Sequence, residues 1–273
     1  FFFTHSILWD FQPWIFFFIP ALFLKLKTVF NHIFRRMTFN GEFITVSGFL
    51  LVLIALSLSH YKLPHYIFVL FPFAAIITAN FIHNLSEQVR EKLSKWHFGF
   101  MQFFWIAALL IMTVVFPIDS IILPVFISVL FILSWFAFRV LKTRTERIIF
   151  PSILIAIGFN LVMSVHFYPN ILSFQASSVV GREIREKNLD VSLYAYESHA
   201  IHFNAQRFVP TWTTLELLEA KKGSLVFTTE AGFAEINERR GATLYKKYPS
   251  HRATLITLPF LFEWSRESQL EYE

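Results

Sequence analysis

Two histidines, a lysine and two tyrosines fall in one short stretch, His60-Tyr61-Lys62-Leu63-Pro64-His65-Tyr66, between two apolar runs. Lys62 offers a point cation of the kind that holds a phosphate. His60 and His65 suit a proton carrier or a metal ligand. Pro64 biases Leu63 to extended backbone and can open the next helix. The same side chains also suit an interfacial anchor, in which Lys snorkels and Tyr and His sit among lipid headgroups. Both uses stay open on spacing alone. Upstream, His5 and Asp10 lie in an aromatic segment, and Asp119 sits in a Pro-Ile-Asp-Ser turn, where it is expected to cap the helix that follows.

Other chemistries are excluded or unsupported. The chain has no Cys, so there is no disulfide framework, thiolate metal site or cysteine nucleophile. It carries no Gly-x-Gly-x-x-Gly or P-loop; the Gly-Arg-Glu-Ile run at Gly181 follows helix-like residues rather than a strand. Glu197, His199 and His202 gather at an expected strand end, where they read as surface residues beside the next helix.

The elements that must position the His60–Tyr66 stretch are membrane spans. Of 273 residues, 55% are hydrophobic and only 16% charged, with 36 Phe, against about 25% charged in a soluble domain. A bilayer core of about 30 Å needs roughly 20 helical residues. Six runs approach or reach that length: Trp14–Leu24, which can extend back past Asp10, Phe43–Ser59, Tyr66–Ile82, Phe98–Ile118, Ser120–Phe138 and Ile148–Tyr168. Basic residues in the five connections number 4, 1, 3, 0 and 4, including Lys25, Lys27, Arg35 and Arg36 in the first and Arg139, Lys142, Arg144 and Arg147 in the last. By the positive-inside rule the first, third and fifth connections face the cytoplasm. The Ser59–His65 loop, the Pro117–Asp119 turn and everything after Tyr168 then lie outside. Trp9, Trp14, Tyr61, Tyr66, Trp96 and Tyr168 fall near run ends, as interfacial rings do. The isoelectric point near 9.4 therefore reflects topology, and no nucleic-acid partner is expected.

Charge divides the chain. Residues 1–172 hold 12 basic and 6 acidic side chains, and residues 173–273 hold 12 and 13. The expected fold is thus an α-helical polytopic membrane domain of about six transmembrane helices over 1–172, followed by a small soluble α/β domain over 173–273. In the second part Ser173–Asn188, Thr213–Ala220 and Glu230–Arg240 read as helices. Val191–Tyr196, Leu225–Thr228, Thr243–Lys246 and Ala253–Leu258 read as strands, and Gly241 as a helix stop. The chain opens at Phe1 without a signal-peptide pattern and reads as the C-terminal piece of a longer protein.

Ser57-x-Ser59-x-x-Lys62-Leu63-Pro64-x-Tyr66-Ile67, followed by an apolar run ending at Pro72, resembles the aminoarabinose transferase and protein O-mannosyltransferase-like group of GT-C membrane glycosyltransferases. The aromatic segment Phe1–Trp14 is similar to the outer segment before a middle helix of these enzymes. The resemblance covers most of this chain but only the C-terminal half of the family's length. It implies a multi-span protein of the bacterial cytoplasmic membrane. Such a protein takes a sugar from a polyprenyl-phosphate donor and transfers it, on the outer face, to a lipid, protein or glycan acceptor. It further implies that Lys62, with His60 and Tyr66, meets the donor phosphate and its cavity, and that His65 and His5 contact phosphate or a divalent metal. The catalytic carboxylates would lie upstream, leaving this piece inactive alone. Val69 departs from the pattern, since many relatives carry Pro there.

Overall fold

The computed structural model describes residues 2–35, 43–60, 62–251 and 256–273. The protein is mostly helical, and two compact units divide it. One holds Phe1–Ala107 and Ile122–Asn160, the other Ala108–Ile121 and Leu161–Glu273.

The first unit opens with α1 (Phe2–Asp10), a turn at 11–14, and α2 (Ile15–Arg35). α3 (Phe43–Leu58) follows, then a 3-10 turn over Pro64–Leu70 that runs directly into α4 (Phe71–Asn84). Leu63 is extended (φ −99°, ψ 136°), as the following Pro64 requires. Next come α5 (Glu87–Leu110), prolonged by a π turn over Ile111–Val115, and α6 (Ile122–Val140). α7 (Arg144–Val162) continues through a π turn into α8 (Tyr168–Leu172); of these helices, residues 108–121 and those from 161 on belong to the second unit.

Four stretches among the described residues are long and apolar enough to cross a membrane: His65–Asn84, Glu87–Val115, Ile122–Val140 and Arg144–Leu172. These match four of the six expected spans. The other two differ. Phe43–Leu58 is an apolar helix of only 16 residues. The first expected span, Trp14–Leu24, lies within α2 from Ile15 on, and α2 continues past Lys25 and Lys27; only its extension back past Asp10 is interrupted, by the turn at 11–14 that separates α1. Phe3 and Ile7 of α1, Phe18 of α2, Phe49 of α3, and Ile67 and Leu70 of the 3-10 turn share one buried cluster. That cluster places α1 against the turn that carries His65 and Tyr66.

Helix ends in lipid leave carbonyls without partners, and arginines serve them here. Arg90 donates from Nη2 to His83 O (2.7 Å) and Leu85 O (2.9 Å), and from Nε to Ile82 O (3.2 Å), closing α4. Arg147 donates to Leu141 O at 2.8 Å, just past the end of α6. Arg144 bridges Glu87 (2.5 Å) and Glu91 (3.0 Å), so the N-terminal ends of α5 and α7 are neighbours.

In the second unit α9 (Ala176–Lys187) ends at Asn188 in the left-handed region and leads into β1 (Val191–Leu193). α10 (His199–Ala205) and α11 (Thr214–Glu219) precede β2 (Leu225–Phe227), which pairs with β1 in parallel. Thr213 and Glu216 form a full capping box at α11. α12 (Glu230–Arg240) ends at Gly241 (φ +68°), as expected. Little sheet is present. Thr243–Lys246 is not a strand; instead β3 (Pro249–Ser250) pairs antiparallel with β4 (Glu271–Tyr272). Of the strand expected at Ala253–Leu258, residues 253–255 lie outside the described residues, and Leu258 begins a short helix, α13 (Leu258–Leu261), followed by α14 (Glu263–Arg266). Asp119 does not cap α6, which begins three residues later at Ile122.

Where α9 crosses α10 the spacing needs a glycine. A Cβ on Gly181 would lie 2.7 Å from Ile201 O and 2.8 Å from Asn204 Cβ, whereas nothing lies within 4 Å of one on Gly99. Gly181→Ala should therefore lower stability by about 1–3 kcal/mol, while Gly99→Ala leaves it unchanged or slightly raised. Thermal unfolding of the detergent-solubilised variants, followed by circular dichroism, checks the difference.

Candidate functional site

The connection between α3 and α4 exposes its cationic and imidazole groups together with Leu63, Phe68 and Val69, and buries Ile67 and Leu70. His60, Lys62 and His65 are exposed and Tyr66 is half-buried, while Ile67 and Leu70 are fully buried. Tyr61 lies outside the described residues, as does Arg36. The alternation follows from the 3-10 turn: with three residues per turn, Ile67 and Leu70 share a stripe that packs on α1 and α3. Tyr66 N donates to Leu63 O at 3.1 Å, and the His65 and Tyr66 rings meet edge to face at 4.8 Å. Ser57 Oγ is spent on Leu53 O at 2.7 Å within α3. Among the described residues Lys62 has no acidic partner. The result is a lysine flanked by two imidazoles on a short, pinned connection, open to an anion.

His5 is exposed on α1. It lies within electrostatic reach of Asp10, and α1 packs beside the 3-10 turn. The structure thus brings the elements carrying His5 and His65 together. No group of three or more His, Asp or Glu able to hold a metal ion occurs among the described residues, and the chemistry proposed below is built without one.

The other polar cluster foreseen, Glu197, His199 and His202, separates. Glu197 and His199 are exposed. His202 Nδ1 accepts from Val209 N at 3.2 Å and its ring stacks on Phe208, so it clamps the turn after α10.

Two polar constellations were not foreseen. In the first unit, His97 Nε2 lies 2.7 Å from Ser152 Oγ, and Ser152 Oγ lies 2.6 Å from Ile148 O. The serine proton goes to the carbonyl, so His97 donates from Nε2. Its Nδ1 is buried without a partner, amid the rings of Trp14, Phe16 and Phe17. In the second unit, buried Glu183 accepts from Lys187 Nζ (2.5 Å), Lys246 Nζ (2.7 Å) and Tyr248 OH (2.7 Å). Beside it a recess of ≈930 Å³ runs between β2 and residues 241–248, lined by Trp212, Lys222, Arg240 and Tyr245 among others. Lys246 and Tyr248 stand more than 60 residues from Glu183, and no local pattern announces a contact at that separation.

No family model and no solved structure matches the chain. It is 26% identical over 236 residues to an uncharacterized protein of Aquifex aeolicus (strain VF5), covering 85% of this chain and 42% of that one. The chain thus spans about two fifths of the relative's length.

The Glu183 cluster gives a pH signature. The Lys187 ammonium first, then Lys246 and Tyr248, hold its carboxyl down at about 2. A depressed folded-state pKa contributes stability above the unfolded value, near 4.5, and loses it as pH falls toward 2. Glu183→Gln should lower the unfolding midpoint at pH 7, and the gap from the parent should close between pH 4.5 and 2. Melting curves over that range decide it.

Proposed function

We propose that this protein is a membrane glycosyltransferase of the GT-C kind, taking a sugar from a polyprenyl-phosphate donor. The acceptor is a lipid, protein or glycan on the outer face of the cytoplasmic membrane. The observation that carries the reading is Lys62: an exposed cation without an acidic partner among the described residues, on a pinned connection between two apolar helices. A prenyl phosphate has an apolar tail and an anionic head, so it asks for a cation where apolar helices end. During transfer the bond from the sugar C1 to the phosphate oxygen breaks, and its electron pair stays on the phosphate. An acceptor oxygen or nitrogen bonds to C1, and its proton passes to a carboxylate. Lys62 and the imidazole of His60 stabilise the departing phosphate, Tyr66 lines the donor cavity, and His65 and His5 flank it. On that reading the accepting carboxylate belongs to a part of the full-length enzyme outside this segment.

Residues 173–273 are read as a small extracytoplasmic α/β domain; the parallel β1–β2 pair between helices supports the α/β reading. A transporter is the second reading. It is favoured by the turn between α1 and α2 and by buried His97, since transporters use broken helices and polar groups within the bilayer.

Lys62→Ala in the full-length protein should reduce sugar transfer at least 100-fold, with membrane insertion unchanged; undiminished transfer sinks the enzymatic role of this connection. Sidedness is tested by reporter fusions. Those after Lys95 and Arg144 should report cytoplasm and one after Asn170 the outside, and the reverse pattern overturns the topology.

A further inference from the structure

The segment Thr257–Gln269 folds back onto the ends of two apolar helices. Phe260 is fully buried with Val115, Phe116, Phe167 and Ile171, and its ring stacks on His251 at 3.9 Å. Arg266 fixes the segment from the same side. Its Nη2 donates to Val115 O at 2.6 Å and to Leu261 O at 3.1 Å, its Nε donates to Phe260 O at 2.9 Å, and its guanidinium lies 4.5 Å from the Phe116 ring centre. Val115 is the last residue of the apolar stretch Glu87–Val115. The segment therefore sits at the level where that helix leaves the membrane.

Two large apolar side chains of the segment are uncovered. Leu258 is 73% exposed and Trp264 is 76% exposed. The Phe262 ring stacks on Trp264 at 4.6 Å, interplanar angle 17°.

We propose that Leu258, Phe262 and Trp264 insert into the interfacial layer of the bilayer leaflet reached by Val115, making residues 258–266 a lipid-facing anchor at the span ends. Three observations favour lipid as the occupant. The hydrogen bond from Arg266 to Val115 O makes the patch continuous with the membrane-crossing surface. Indole rings prefer the headgroup level. Three apolar side chains, even with aromatics covering about 150–250 Å² each, fall short of the roughly 800 Å² per partner of a standard protein interface. Glu263 and Glu267 are exposed on the same segment, so the attachment comes from apolar burial and does not need anionic lipid. The proposal rests on reading Glu87–Val115 as a span and is independent of glycosyl transfer.

Because the chain has no Cys, single thiols can be placed at will. Trp264→Cys and, separately, Leu258→Cys are labelled with an environment-sensitive fluorophore in phosphatidylcholine nanodiscs. Phe203→Cys on α10, at a side chain 82% exposed, is the aqueous reference, and Ile132→Cys in α6, at one 63% exposed, is the buried-in-lipid reference. Labels at 264 and 258 should be quenched by lipids carrying a nitroxide near the headgroup, and at least fivefold less by aqueous iodide than the label at 203. The label at 132 should respond to a nitroxide deep in the acyl chain. Iodide quenching at both 264 and 258 equal to that at 203, with 132 still lipid-quenched, overturns the anchor alone. A label at 132 that escapes the deep nitroxide overturns the membrane reading and the anchor with it.

Discussion

Where a helix ends at a bilayer boundary, its last carbonyls have lost their intrahelical partners and have little water to replace them. Much of the fine structure of this protein answers that constraint with guanidinium groups. Arg90 serves Ile82, His83 and Leu85 at the end of α4, Arg147 serves Leu141 after α6, and Arg266 serves Val115 at the end of α5 and its π turn. The device recurs in the C-terminal half, where Arg240 donates to Leu217 O and Ala220 O at the end of α11. Arginine suits the task because its five donors lie in one rigid plane and stay charged in almost any surroundings. A lysine would offer its three donors from a single nitrogen, so it could not span carbonyls as far apart as the guanidinium fork does.

The basic residues of the connections therefore have two roles. Their uneven distribution among the connections is the signal from which an orientation is expected, and Arg90 and Arg147 also close helix ends whose carbonyls lack intrahelical partners. The ion pairs among Glu87, Glu91, Lys95, Arg144 and Arg147 fit the same picture. Exposed pairs contribute little stability each, but this group spans two helices and fixes which ends lie side by side. Charge here registers the helices, and apolar contact supplies the cohesion.

Several features of this arrangement were legible in the residues. The uncharged runs marked four stretches of membrane length, Leu63 before Pro64 gave the extended entry to the next element, and Gly241 marked a helix end that the structure keeps. All of these depend on chemistry within a few positions. The failures depend on distant partners. The apolar character of the residues before Trp14 allows the first span to extend back past Asp10, yet the chain turns at 11–14, and Phe3 of α1 and Phe18 of α2 enter one cluster with Ile67 and Leu70. Thr243–Lys246 has the alternation of a strand but no neighbour to pair with, while Pro249–Ser250, with no strand signal, finds Glu271–Tyr272. β1 stops at Leu193, ahead of Ala195 at φ 49°, a left-handed residue that composition does not reveal. At the candidate site the polar residue types were evident, but their presentation was not. The buried stripe of Ile67 and Leu70 belongs to a 3-10 geometry that packs on α1 and α3, contacts with distant partners.

The contrast between His97 and Lys62 shows why ligand chemistry is expected at the boundary. His97 is surrounded by aromatic rings, and its one hydrogen bond is fixed by a serine whose own proton is committed to a carbonyl. To engage anything else it would have to break that pair in a medium offering no substitute, a cost of several kcal/mol. Lys62 is exposed to water, as are His60 and His65, so an anion there would replace only water. The cost of exchange is therefore low at the connection and high within the span. The aromatic packing that makes His97 a poor ligand site also makes it a good structural one, because it leaves the imidazole a single hydrogen-bonding arrangement.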